Sequence, residues 1–85
     1  MSIPKQHPKP WKLKSEIVRN RYIFKYKYPV RDKVLSIADS LSDIDRISVD
    51  EVKFHLDRTA DIYIHTTIKH KQLLQILTDM VSPKL

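Results

Sequence analysis

The sequence predicts an α+β fold: a small β-α-β-β-α domain whose antiparallel sheet carries two helices on one face, behind a disordered basic N-terminal arm. Three observations predict it. The segment Tyr22-Ile23-Phe24-Lys25-Tyr26-Lys27-Tyr28 alternates with the period of two expected of a half-buried strand. Two later runs rich in β-branched and aromatic residues, Ile47–Leu56 and Ile62–Ile68, follow one another closely enough to pair. Apolar residues recur at helical spacing in two further segments, as Val34, Ile37, Ala38 and Leu41, then as Leu73, Ile76, Leu77 and Met80.

The elements follow in chain order. Residues 1–10 hold Pro4, Pro8 and Pro10 among few apolar groups, which predicts a flexible segment. The expected division is an arm over residues 1–12 and a single domain over 13–85. Trp11, the one tryptophan, sits at that junction, where its ring could anchor the arm on the domain or face a partner and stack on a base. Residues 12–19 fit either a helical turn or two, or a short strand. The aromatic strand follows. Pro29 stops its ladder and suits the first position of a helix over 30–42, with Leu35 beside the apolar stripe.

The segment from Ile47 to Leu56 admits two readings. Ser48-Val49-Asp50-Glu51 has the form of a capping box, and Val49, Val52 and Leu56 could form a helical stripe, which would make a winged-helix protein. The alternation of Val52, Phe54 and Leu56 with Lys53, His55 and Asp57 instead favours a hairpin with the run that follows. Ile47 and Val49 then belong to an earlier part of the first strand, set off by a bulge. Placing Phe54 and Leu56 on the face of Ile62 and Ile64 puts Leu56 opposite Ile62, with a connection of three or five residues centred on Thr59. Lys53 would then oppose His65, His55 would oppose Tyr63, and Asp57 would oppose Asp61, with Arg58 partly neutralising the two carboxylates. A three-residue turn favours Gly at its left-handed position, and the chain has no glycine, so five is the expectation. The last helix is expected from about Lys69, capped by Thr66 or Thr67 and stopped by Ser82-Pro83.

Composition excludes more than it suggests. An average chain of 85 residues would hold about six glycines. Their complete absence removes the phosphate-binding loop, the dinucleotide fingerprint and the nucleophile elbow. Without cysteine there is no disulfide framework, thiolate nucleophile or Cys-based zinc site. His65 and His70 have no neighbouring His or Cys to complete a metal set, so neither metal nor cofactor is expected. No apolar run reaches bilayer length and the first residues lack a signal-peptide stretch, so a cytoplasmic protein with no membrane partner is expected. Pro10-Trp11-Lys12-Leu13-Lys14-Ser15-Glu16-Ile17-Val18 resembles the lead-in segment of some nucleotide-sugar Nudix hydrolases, whose glycine-containing box has no counterpart here. The strand-helix-hairpin-helix order is similar to part of the pterin carbinolamine dehydratase fold, whose paired histidines followed by proline are absent. Neither resemblance implies an activity or a site.

Charge points to a partner. The formal charge of +6 is local: through Tyr28 there are Lys5, Lys9, Lys12, Lys14, Arg19, Arg21, Lys25 and Lys27 against Glu16 alone, and the remainder is nearly neutral. Such asymmetry is characteristic of an arm for a polyanion. With both helices on one face, the other would carry Ile23, Lys25, Lys27, Lys53, His55, Tyr63 and His65. Lysines there attract phosphate, and Tyr63 and the histidines could stack on bases. Lys69-His70-Lys71, at the start of the last helix, forms a weaker candidate anion site. An acid-base set drawn from His55, His65, Tyr63, Asp57 and Asp61 has no serine or cysteine nucleophile in a recognisable arrangement. The sequence therefore predicts a non-catalytic module that binds RNA or DNA within a larger assembly, through Lys5, Lys9, Trp11, Lys12, Lys14 and the open sheet face. A protein-interaction subunit or homo-oligomer associating through the sheet is the alternative.

Overall fold

A computed structural model describes residues 11–81. The elements are β1 (Trp11–Ser15), β2 (Arg21–Lys27), α1 (Arg31–Ser42), β3 (Ile47–Phe54), β4 (Thr59–Thr66) and α2 (His70–Val81). The order is β-β-α-β-β-α, and the four strands form one antiparallel sheet in the order β1-β2-β4-β3. The strand that the sequence left undecided is β1. It begins at Trp11, so the sheet takes in two residues assigned to the arm by composition. The expected behaviour of residues 1–10 and the stop at Ser82-Pro83 lie outside the described residues.

Direct pairing puts Trp11, Leu13 and Ser15 beside Tyr26, Phe24 and Tyr22, and these beside Ala60, Ile62 and Ile64. Opposed residues share a face, so one face collects the apolar side chains. Both helices cover it. Val34, Ile37, Ala38 and Leu41 of α1 and Leu73 and Leu77 of α2 are buried there, with Phe24, Ile62 and Ile64. Phe24 packs against the Trp11 ring at a centroid distance of 5.4 Å and against Tyr26 at 5.8 Å. At the β3 edge the core is closed by Tyr28, edge-on to Phe54, and by the Arg31 guanidinium 4.2 Å above the Phe54 ring. Arg31 is a cation in the first helical turn, where the helix dipole disfavours it, and this ring contact compensates.

The strand order exchanges with itself when β1 and β2 are swapped for β3 and β4. Two β-β-α units thus meet across the antiparallel β2/β4 junction, where Phe24 directly opposes Ile62. Val34 and Ala38 stand at the helix positions that Leu73 and Leu77 occupy in the second unit. No sequence repeat announces this, because the two units bury different residues at equivalent places. The arrangement sends the two hairpin tips, residues 17–20 and 56–58, to opposite ends of the sheet.

Residues 48–57 form strand and turn, which removes the winged-helix reading. The hairpin register differs from the expected one. Val52 opposes Ile62, Phe54 opposes Ala60 and Lys53 opposes Asp61, with a bulge between Val49 and Glu51 as the pattern of Ile47 and Val49 foretold. His55 donates its N–H to the Thr59 carbonyl at 2.8 Å, which leaves Leu56-Asp57-Arg58 as a three-residue connection. The expected five-residue turn rested on the lack of glycine, and Arg58 itself takes the left-handed position at φ 67°. Asp57 supports the turn by accepting from the Thr59 N–H at 3.2 Å and its hydroxyl at 2.5 Å. Leu56, expected opposite Ile62, is instead fully exposed at the tip.

The helix starts also differ slightly. α1 opens at Arg31 with Val30 before it, two residues beyond Pro29. Thr66 does not cap α2; its hydroxyl donates to the Arg46 carbonyl at 2.6 Å and accepts the Ile68 N–H at 3.0 Å, shaping the turn into the helix. Lys69 precedes the first helical residue and accepts the Leu73 N–H at 3.0 Å.

Candidate nucleic-acid interface

The sheet face that the helices leave uncovered can be read row by row from the register. One row is Lys12, Lys25, Asp61 and Lys53; the next is Lys14, Ile23, Tyr63 and Glu51. Arg21, His65 and Ser48 form a third row. At the other end Lys27 opposes Thr59, whose carbonyl holds His55. Lys12, Lys14, Lys25, Lys27, Lys53, His55, Tyr63 and His65 are therefore brought together on one face, as the alternation along each strand predicted. The lysines and His65 are exposed, and Tyr63 is half-buried.

Four sequence expectations change here. Trp11 faces the core and is only 5% exposed, because β1 pairs it with Tyr26 on the helical side. Its ring packs against Phe24 and is taken up by the core. Lys53 opposes Asp61, not His65, and its ammonium lies 5.3 Å from the Tyr63 ring centroid. His55 opposes Thr59, not Tyr63, and Asp57 does not face Asp61, since the turn is centred two residues earlier than supposed.

That shift creates a contact the sequence did not reveal. His55 Nε2 lies 3.0 Å from Asp61 Oδ2, with the Asp61 side chain 12% exposed and the imidazole 45% exposed. Asp61 is thus a nearly buried carboxylate between Lys25 and Lys53, held by a histidine. Arg21 was also missed as a face cation, although counting back by two from Ile23 places it there. The pair borders an open cleft of about 890 Å³ at the Lys27 end, bounded on its polar side by Lys12, Lys25, Lys27, His55, Asp57 and Asp61 and on its apolar side by Trp11, Tyr26, Phe54 and Leu56.

Two ionisable groups nearby are shifted. Hydrogen bonds from Thr59 hold the Asp57 carboxyl below its ordinary value. Burial pushes the Tyr26 phenol up.

Lys69, His70 and Lys71 are exposed at the start of α2, but they do not join this face. The His70 ring stacks on Tyr22 at 5.7 Å, and Tyr22 points to the helical side. Lys5 and Lys9 lie outside the described residues. Among the described residues no group of three or more His, Cys, Asp or Glu side chains is arranged to hold a metal ion, and no helix is long and apolar enough to cross a membrane. No family model, curated protein or solved structure matches the chain.

Proposed function

We propose that this chain is a nucleic-acid-binding module that takes the phosphate backbone of RNA or DNA on its uncovered sheet face, within a larger assembly. The observation that carries the reading is the set of cations on that face. Lys12, Lys14, Arg21, Lys25, Lys27 and Lys53 share it, against Glu51 and a carboxylate already held by His55. Strands lie about 4.8 Å apart, so the row from Lys12 to Lys53 spans about 14 Å, enough for several flexible ammonium groups to follow a backbone. Lysines act as point charges without bidentate base readout, so the binding is largely sequence-independent. Single strands suit the face better than duplexes, because the exposed His65 and the half-buried Tyr63 put aromatic rings on it that unstacked bases can use. Lys5 and Lys9 add two further cations to the same chain.

The test is binding of mixed-sequence single-stranded and duplex oligonucleotides as salt is raised. Four phosphate contacts to a single strand give an affinity loss of about 50-fold between about 50 and 200 mM salt. Undetectable binding at low salt removes the reading. A salt-insensitive dimer, seen by light scattering and indifferent to oligonucleotide, would favour association through the outer strands β1 and β3, each of which leaves one edge unpaired.

A further inference from the structure

The sequence predicts a binder without chemistry, and among the described residues the arrangement that argues otherwise is the His55–Asp61 pair. Resting on the nucleic-acid reading above, we propose that this pair is the general-base half of a phosphodiester-cleaving site whose substrate is single-stranded RNA.

A low-exposure carboxylate bonded to one imidazole nitrogen fixes the ring and its tautomer, which is the orienting half of many acid-base sites. Asp61 holds Nε2 in this way, and Nδ1 has no hydrogen-bond partner among the described residues. The imidazole lines the cleft together with Lys25 and Lys27, the cations able to seat a phosphate there, and with the Asp57 carboxylate of the turn. A protein nucleophile is not required. RNA carries its own, the 2′-hydroxyl next to each phosphate, so the lack of cysteine is no obstacle for this substrate class.

The step balances within the substrate and solvent. His55 Nδ1 takes the proton from the 2′-hydroxyl as that oxygen attacks the adjacent phosphorus. The 2′-oxygen–phosphorus bond forms and the phosphorus–5′-oxygen bond breaks. The departing 5′-oxygen takes a proton from a water molecule, and the hydroxide so formed takes the proton from the imidazolium, returning His55 to its starting state. No oxidation or net consumption of water occurs, and the products end in a 2′,3′-cyclic phosphate and a 5′-hydroxyl. His55 is the base; Asp61 is a positioning residue that acts through it.

The experiment compares a single-stranded RNA oligonucleotide with its all-deoxy counterpart, using the full chain and the His55→Gln and Asp61→Asn variants prepared identically. Binding is measured alongside cleavage and also reports that each variant is folded. RNA should be cut to cyclic-phosphate ends and the deoxy strand left intact. His55→Gln should lose about 100-fold or more in rate, the contribution of a positioned base, and Asp61→Asn at least about tenfold in kcat with no rise in KM, which a merely structural role would not give. RNA bound but uncut, or cut equally well by His55→Gln, overturns the proposal while leaving the binding face intact. Failure to bind either oligonucleotide removes the binding reading and this proposal with it.

Discussion

His55 and Asp61 face each other across a three-residue turn, with Nε2 3.0 Å from Oδ2, and this contact holds a carboxylate in the middle of the lysines of an otherwise cationic row. The negative charge opposes the polyanion attraction of Lys25 and Lys53. Asp61→Asn keeps the shape and removes the charge. Oligonucleotide affinity should rise about three- to tenfold at low salt and by less as salt is raised, because salt weakens the interaction between the carboxylate and the bound phosphates. Titration by fluorescence anisotropy at two salt concentrations measures it.

Register gives a second prediction. Ile62 is fully buried opposite Val52, and Leu56 is fully exposed at the tip. Ile62→Ala should cost about 2–5 kcal/mol of stability, and Leu56→Ser should stay within about 0.5 kcal/mol. Urea midpoints of the two variants distinguish this register from one in which Leu56 opposes Ile62.

The pattern that made the fold legible is local. Tyr22, Phe24 and Tyr26 alternate with Ile23, Lys25 and Lys27, and both helices show an apolar stripe, so strand, helix and uncovered face could be assigned from spacing alone. The exposed lysines of the face were found for the same reason. What spacing does not encode is the turn. The choice between a three- and a five-residue connection hung on whether a non-glycine residue would accept a left-handed backbone, and Arg58 does, with Asp57 and Thr59 bonded beside it. A shift of the hairpin centre from Thr59 to Asp57 preserves every residue's face but changes every partner. That is why the lysines were placed correctly and the His55–Asp61 contact was not. Of the two roles open to Trp11, the ring anchors in the core and does not serve as a surface stacking ring; spacing could not choose between them, because nothing local shows that β1 pairs with β2, which is a tertiary fact.

The same turn predicts a stabilising change. Arg58 at φ 67° and Arg46 at φ 74° adopt a conformation that costs a residue with a Cβ about 1–2 kcal/mol, part of which glycine's extra unfolded-state freedom cancels. Arg58→Gly and Arg46→Gly should each raise stability by about 0.5–1 kcal/mol in chemical denaturation. Asn20, also left-handed at φ 67°, should gain less, since asparagine tolerates that region.

Strong acid should loosen the hairpin tip. The Asp57 carboxyl is held below its ordinary value by Thr59, so its support is present above the unfolded-state value of about 3.9 and is lost as pH falls through the lower folded value. Amide exchange at Thr59 should quicken over that window, and Asp57→Ala should exchange quickly throughout. Tyr26 behaves in the opposite sense: burial raises its phenol, so its contribution is complete below about pH 10 and is lost as pH climbs through the folded value. Tyr26→Phe should flatten the alkaline limb of the stability curve.

The central claim, that phosphate is bound by the uncovered sheet face, is tested most directly by the salt dependence of single-stranded oligonucleotide binding in the parent chain and in Lys25→Ala/Lys53→Ala. The slope of log affinity against log salt should fall by about 0.7 for each lysine removed, with weaker binding to every sequence tried. An unchanged affinity and slope in the double variant would contradict the account.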